Sequence, residues 1–314
     1  MKTYLDCIPC FFRQALEGGR IAGALPRRQK LIVDMFAAQI PHLSLQASPP
    51  EIARICHAIV KQVTGRADPY GKIKRKSNLT ALKVSGKLRD KVKRAPRPLL
   101  TAVELAIAGN VIDFGVKNNV NVREELRRIL AQEHKSVHKR SIFHYAAFRD
   151  ALKKSKNILY LADNAGETLF DRILIEEIQR KYPGAAVAYA VKEKPIINDA
   201  LREDARVCGV DRCARVISNG SDAPGTVLAL CSAEFRRSFA RADMIISKGQ
   251  GNYESLSGET GPLFFLFMVK CPVVAKHTGC RIGETVLLCS RRNKKALRVG
   301  SAKRVHGRKS SGTQ

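Results

Sequence analysis

Asp163-Asn164-Ala165-Gly166-Glu167 gathers two acids, a carboxamide and a glycine within five positions. Three further clusters repeat the mixture: Pro195-Ile196-Ile197-Asn198-Asp199, then Ser218-Asn219-Gly220 with Pro224-Gly225-Thr226, then Ser247-Lys248-Gly249-Gln250-Gly251-Asn252-Tyr253-Glu254. Two carboxylates and a carboxamide oxygen form a hard oxygen set, which suits magnesium or manganese rather than zinc. Lysines supply phosphate contacts, and glycines let backbone N–H groups approach an anion closely. Each cluster also has a plainer reading. An Asp-Asn pair ahead of a helix commonly caps it, and Glu167, as a first-turn acid, complements the helix dipole. Gly249-Gln250-Gly251 lacks the third glycine of a dinucleotide fingerprint, Glu254 standing in that place. No Walker A sequence occurs. No second aspartate follows Asp163 two positions later, as a phosphoaspartyl phosphatase of the haloacid dehalogenase type requires.

The elements that must hold these clusters fall into two patterns, which meet near residue 155. Before it the spacing is helical. Ser48-Pro49-Pro50-Glu51 is a capped start, followed by Ile52, Ile55, Cys56, Ile59 and Val63 on one face and by Gly65 as a stop. Asp6 with Pro9 opens a similar helix through Phe11, Phe12, Ala15 and Leu16; Pro98 to Ile112 is another, closed by Gly115, and Val122 to Gln132 a shorter charged one. Beyond residue 155 apolar strands alternate with helices. Strands are expected at 157–162, 185–191, 214–217, 242–247, 271–275 and 285–288, with crossover helices between most of them. The pattern predicts an α/β fold: a helical N-terminal domain over 1–155, a mostly parallel α/β domain over 156–290, and a basic tail over 291–314. In such sheets ligands bind beyond the carboxyl ends of the strands. The polar clusters fall there, and their recurrence favours a metal and phosphate site.

Composition sets limits on function. The 314 residues carry 45% hydrophobic side chains, enough for a core, and the longest apolar run, Pro262 to Val269, is far short of a membrane span. Residues 1–6 lack the apolar segment of a signal peptide. A cytoplasmic protein is expected. Nine cysteines, an odd number, point to reduced thiols. Cys7-Ile8-Pro9-Cys10 reads either as half of a metal or redox site or as small apolar residues opening a helix; His57 can complete such a site only through folding. The net charge of +28 is concentrated between Lys72 and Arg97 and beyond Arg291. The tail has no acid and little apolar periodicity, so its composition predicts disorder and, if it has a partner, weak salt-sensitive attraction to polyanions.

Several stretches together resemble one family. "LADNAGETLFD", "KPIINDALREDA", "ISNGSDAPGT", "RADMIISKGQGNYESL" and "KCPVVAKHTG" are similar to the successive motifs of the metal-dependent damage-control phosphatases, long catalogued as domain of unknown function 89. "DCIPCFFRQAL", "DPYGKIKRKSN" and "AIAGNVIDFGV" resemble the N-terminal part of that family's prokaryotic, C-x-x-C-bearing branch. The match runs in order over nearly everything but the tail. The resemblance implies a helical domain on a three-layer, Rossmann-like α/β domain, and a divalent metal (manganese, cobalt or magnesium) held at Asp163, Asn164 and Asp199. It implies a substrate loop at Gln250, Gly251, Asn252 and Tyr253, a phosphate-contacting lysine at Lys270, and cleft-lining residues Glu167, Asn110 and Asp113. Phe267-Met268-Val269 stands where the eukaryotic branch has an arginine-containing motif, so the resemblance does not imply that branch's substrate preferences here.

The expected chemistry is hydrolysis of a small phosphorylated metabolite, a phosphomonoester. Asp163 and Asp199 serve as ligands, Lys270, with Lys248, stabilises the transferred group, and Glu167 orients water or a substrate hydroxyl. Two other classes stay open. A nucleic-acid binder explains the charge, yet residues 72–97 hold no aromatic side chain for stacking. A nucleotide- or methyl-donor-dependent transferase can use the Gly249–Gly251 loop but leaves Asp199 without a role.

Overall fold

Helical and strand periodicities are realised over residues 1–109 and 141–290, the residues that this computed structural model describes. Six helices come first: α1 (Ile8–Ile21), α2 (Pro26–Ala37), α3 (Pro49–Thr64), α4 (Gly71–Leu82), α5 (Ser85–Arg94) and α6 (Pro98–Gly109). The Ser48 signal is a true capping box, the Ser48 N–H donating to Glu51 at 2.7 Å, and Gly65 ends α3 in the left-handed conformation. The helix expected over Val122–Gln132, the stop at Gly115, the site candidates Asn110 and Asp113, and the basic tail lie outside the described residues.

After α7 (Tyr145–Leu152) the chain alternates: β1 (Asn157–Leu161), α8 (Glu167–Lys181), β2 (Ala186–Val191), α9 (Arg202–Val207), β3 (Arg215–Ser218), α10 (Ala233–Arg241), β4 (Met244–Lys248), α11 (Gln250–Leu256), β5 (Leu263–Met268), α12 (Pro272–Thr278) and β6 (Thr285–Cys289). The sheet order is β3-β2-β1-β4-β5-β6, parallel except for the last strand, which pairs antiparallel to β5. Order reverses between β1 and β4. A cleft opens at such a switch point because the following connections leave in opposite directions.

One expected strand is absent and one unexpected strand is present. Residues 271–275 are not a strand: Pro272 opens α12 at its first turn, with the Cys271 thiol accepting the Val274 N–H at 3.5 Å. The strand before them is β5, within the Pro262–Val269 run. Lying between β4 and β6 with both faces covered, it shows no alternation to read.

The helical region does not stand apart from the sheet. Leu99, Val103, Ala106 and Ile107 of α6 share one core with Leu169 and Phe170 of α8 and with Ile158 and Tyr160 of β1. A β-carbon at Gly109 would fall 2.9 Å from the Phe170 ring, so the close crossing of α6 over α8 needs glycine there. Helices α1 to α3 hold a smaller core of their own around Phe11, Ile32, Phe36 and Val60.

Candidate functional site

Asp163 and Asn164 follow β1, Asp199 follows β2, and Lys248 ends β4, so the three central strands deliver their polar clusters to one place. Two loops are laced together there. Ala200 N–H donates to the Asp163 carbonyl at 2.8 Å and Ala165 N–H to the Asn198 carbonyl at 2.9 Å, forming an antiparallel bridge between Asn164 and Asp199. Ile197, two residues before Asp199, has φ 43, a conformation a β-branched residue adopts only under constraint.

The capping alternative for Asp163-Asn164 does not hold. The N-cap of α8 is Gly166 at φ 85, with no side-chain cap, and its N–H is taken by Asn78. Asn164 Nδ2 instead donates to Asp163 Oδ2 at 3.1 Å and Glu167 Oε1 at 2.9 Å. With its amide nitrogen held by acids, the Asn164 oxygen is left as the acceptor end. Gly249 completes the cradle. At φ 81 it sits so close to Asp163 that a β-carbon would overlap the carboxylate.

Lys248 is fully buried rather than facing the cleft. Its ammonium lies 3.1 Å from Glu167 Oε2 and 2.8 Å from Asp171 Oδ1, and Asp171 also accepts the hydroxyls of Tyr160 (2.7 Å) and Tyr189 (2.8 Å). Burial by itself would lower the Lys248 pKa, but the two acids raise it, so the lysine stays charged. The chain from the tyrosines through Asp171, Lys248 and Glu167 to Asn164 fixes the direction of the carboxamide. Sequence reasoning missed Asp171, whose only signal is its place one turn beyond Glu167 on the inner face of α8.

Gln250, Gly251, Asn252 and Tyr253, expected as a substrate loop, form the opening turn of α11 and are engaged internally. Asn252 Nδ2 donates to the carbonyls of Ala162 (3.0 Å) and Lys248 (2.7 Å), while its oxygen accepts the Thr226 hydroxyl at 2.7 Å. The Tyr253 ring lies in the core and its hydroxyl meets half-buried His277 Nδ1 at 2.7 Å. Gln250 holds the Lys270 N–H at 2.8 Å and donates to Glu254 at 2.8 Å. Gly251 of α11 lies against Gly225, where a β-carbon on Gly225 would fall 2.5 Å from the Gly251 carbonyl. Lys270 itself is exposed, and its charge reaches Asp163. Lys192, unforeseen in sequence, is buried beside the site, 3.5 Å from Asp199 Oδ2 and hydrogen-bonded to the Gly225 carbonyl.

Desolvation, with Glu167 and Asp199 adding repulsion, pushes the Asp163 carboxyl well above the usual range, although part of its surface reaches solvent. Asp199 rises to about 6, again chiefly from desolvation and against the pull of Lys192. Its Oδ2 is a buried oxygen that accepts no hydrogen bond among the described residues. Two acids held together at such a cost suit a cation that replaces their protons. No group of three His, Cys, Asp or Glu side chains among the described residues is arranged to hold an ion. Cys10 is exposed and accepts from Gln14 at 3.5 Å, Cys7 is half-buried, and His57 is buried with its pKa lowered to about 4, by desolvation first.

Known proteins share this architecture. The chain matches the profile of the damage-control phosphatase ARMT1-like domain over residues 3–286. It is 36% identical over 300 residues to protein MJ0202 of Methanocaldococcus jannaschii, covering 92% of this chain and 95% of that one. It is 35% identical over 296 residues to damage-control phosphatase PH1575 of Pyrococcus horikoshii, with 93% and 98% covered. A damage-control phosphatase of Archaeoglobus fulgidus is 35% identical over 241 residues, with 75% and 80% covered. The crystal structure of the DUF89 family protein PH1575 superposes with a TM-score of 0.83 at 33% identity, covering 92% of this chain and 99% of that one.

Proposed function

Because the chain belongs to the damage-control phosphatase ARMT1-like family and is a phosphatase, we propose that it hydrolyses small phosphomonoesters, sugar phosphates or damaged phosphometabolites, with manganese, cobalt or magnesium held by Asp163, Asn164 and Asp199. The observation that carries this reading is the bridge between Asn164 and Asp199, which joins the loops after β1 and β2 and brings two desolvated acids and an oriented carboxamide together beside the switch point. A divalent cation bound there supplies Lewis acidity, neutralising charge on a phosphoryl oxygen and lowering the pKa of the attacking water.

The chain's own residues do the rest. Lys270, exposed, anchored through its backbone to Gln250 and near enough for its charge to act on Asp163, neutralises the phosphoryl group as it transfers. Glu167 has both oxygens engaged, one by Asn164 and one by Lys248, so it orients the carboxamide rather than accepting the water's proton. Gln250, Asn252 and Tyr253 hold the start of α11 through internal bonds, and what they offer a substrate is the position of Lys270. Hydrolysis of a panel of phosphomonoesters by the full chain, with and without a chelator, tests the proposal. Turnover is expected to vanish on chelation and return with manganese or cobalt; undiminished turnover in the chelated protein would overturn it.

A further inference from the structure

The loops carrying Asp163–Glu167 and Asp199–Leu201 are tied a second time, beneath their bridge, by a side chain from the helical region. Asn78 of α4 is 2% exposed. Its Oδ1 accepts the Gly166 N–H at 2.7 Å and, more distantly, the Cys208 thiol at 3.7 Å. Its Nδ2 donates to Asp204 Oδ1 at 2.7 Å, and Asp204 Oδ2 accepts the Leu201 N–H at 2.8 Å. The carboxamide has only one orientation here, because a backbone N–H can only donate and a carboxylate prefers to accept. Gly166 stands between Asn164 and Glu167, and Leu201 is two residues beyond Asp199.

We propose that Asn78 is a positioning residue for the cation site, setting through one carboxamide the separation between the loop of Asp163 and Asn164 and the loop of Asp199. The inference rests on the ligand assignment of the proposed function. Its physical basis is tolerance. Cation ligands must be held to within about half an ångström, and the side chains that hold them are themselves fixed by outer hydrogen bonds. Without Asn78, the Gly166 N–H at the open start of α8 and the buried Asp204 oxygen lose their partners together, and the two loops keep only the bonds of the bridge. The amide nitrogen also separates Asp204 from any second negative charge, so an acid cannot replace it alone.

The test exchanges acid and amide. Asn78→Asp keeps an acceptor for Gly166 but sets two carboxylates face to face; Asp204→Asn removes the acceptor for the Asn78 amide. The double variant N78D/D204N restores every bond, since the carboxylate at 78 accepts from Gly166 and from the amide at 204, whose oxygen accepts the Leu201 N–H. Manganese binding to the full-length chain, read from the spectrum of the free ion, needs no turnover. Each single variant is expected to bind manganese at least about tenfold more weakly, and the double variant to recover to within about threefold of wild type. Ala81→Gly, at a buried position on the same helix, is expected to lower thermal stability while leaving manganese affinity unchanged. Wild-type affinity in N78D, or a double variant no tighter than N78D, would overturn the role of Asn78. Wild-type affinity in Asp163→Asn would instead overturn the ligand assignment beneath it.

Discussion

Asp163 and Asp199 are acids whose surroundings favour the proton over the charge. For an acid raised in the folded state, the stabilisation is fully present below its unfolded pKa, about 4, and is lost as pH rises through the folded value, about 6 for Asp199. The cation-free protein is therefore expected to lose thermal stability between about pH 4 and pH 7, apart from whatever other groups contribute. Buried His57 acts in the opposite direction, since a histidine held neutral loses stability as pH falls from about 6.5 toward about 4. A cation competes with the acid protons, so the rise in melting temperature on adding manganese should grow from about pH 5 to about pH 7.5. A manganese shift independent of pH would contradict this. At this scale the sequence made the acids visible, because Asp, Asn and Glu stand out behind an apolar strand. Lys248 was legible as a charged residue at a strand end but not as a buried one, because its partner Asp171 lies 77 positions away.

At the scale of elements, the strand-turn-helix order after residue 155 was readable from periodicity, and Ser48 and Gly65 bounded α3 as capping chemistry requires. The pair β5 and α12 was not, because a strand covered on both faces has no alternation and the short helix announces itself only through Pro272. Turn glycines carry the geometry of the site. Gly249→Ala is expected to push Asp163 aside and cut turnover about a hundredfold, with the fold retained by circular dichroism; turnover within a few-fold of wild type would show that the cradle is not needed. Lys248→Met leaves Glu167 and Asp171 buried without their cation and should cost about 3–5 kcal/mol of stability, measurable by denaturant unfolding. An unfolding midpoint unchanged from wild type would contradict the network's role in holding Glu167 and Asn164.

For the whole molecule, the change of pattern near residue 155 does not separate α6 from the sheet's core, although α1 to α3 keep a core of their own. Leu99, Val103, Ala106 and Ile107 lie in one core with α8 and β1, and Asn78 reaches from α4 to the candidate site. Residues 156–290 expressed alone should therefore fail to give a cooperative unfolding transition, and a stable, cooperatively folded fragment would contradict the shared core. Truncation after Ser290 is expected to behave differently. Ser290 Oγ donates to the Gly261 carbonyl at 2.8 Å and β6 is complete before it, so turnover per molecule should be unchanged; a truncated chain that loses turnover would show that the last 24 residues, 291–314, take part. No helix of the described residues is long and apolar enough to cross a membrane, in keeping with the short apolar runs. Long-range partners such as Asn78 to Gly166 have no local sequence signal, which is why the helical region's part in the site emerged only from the fold.

The central claim, that Asp163 and Asp199 act through one cation, is tested most directly by comparing wild type, Asp163→Asn, Asp199→Asn and the double variant for manganese affinity and phosphatase turnover. Both single variants should remain folded, since neither opens a cavity, and each should lose most of its affinity and turnover. Residues acting through one ion are strongly non-additive, so the double variant should be little worse than either single one. Folded Asp163→Asn with near-wild-type turnover, or single losses that multiply in the double variant, would contradict a shared cation.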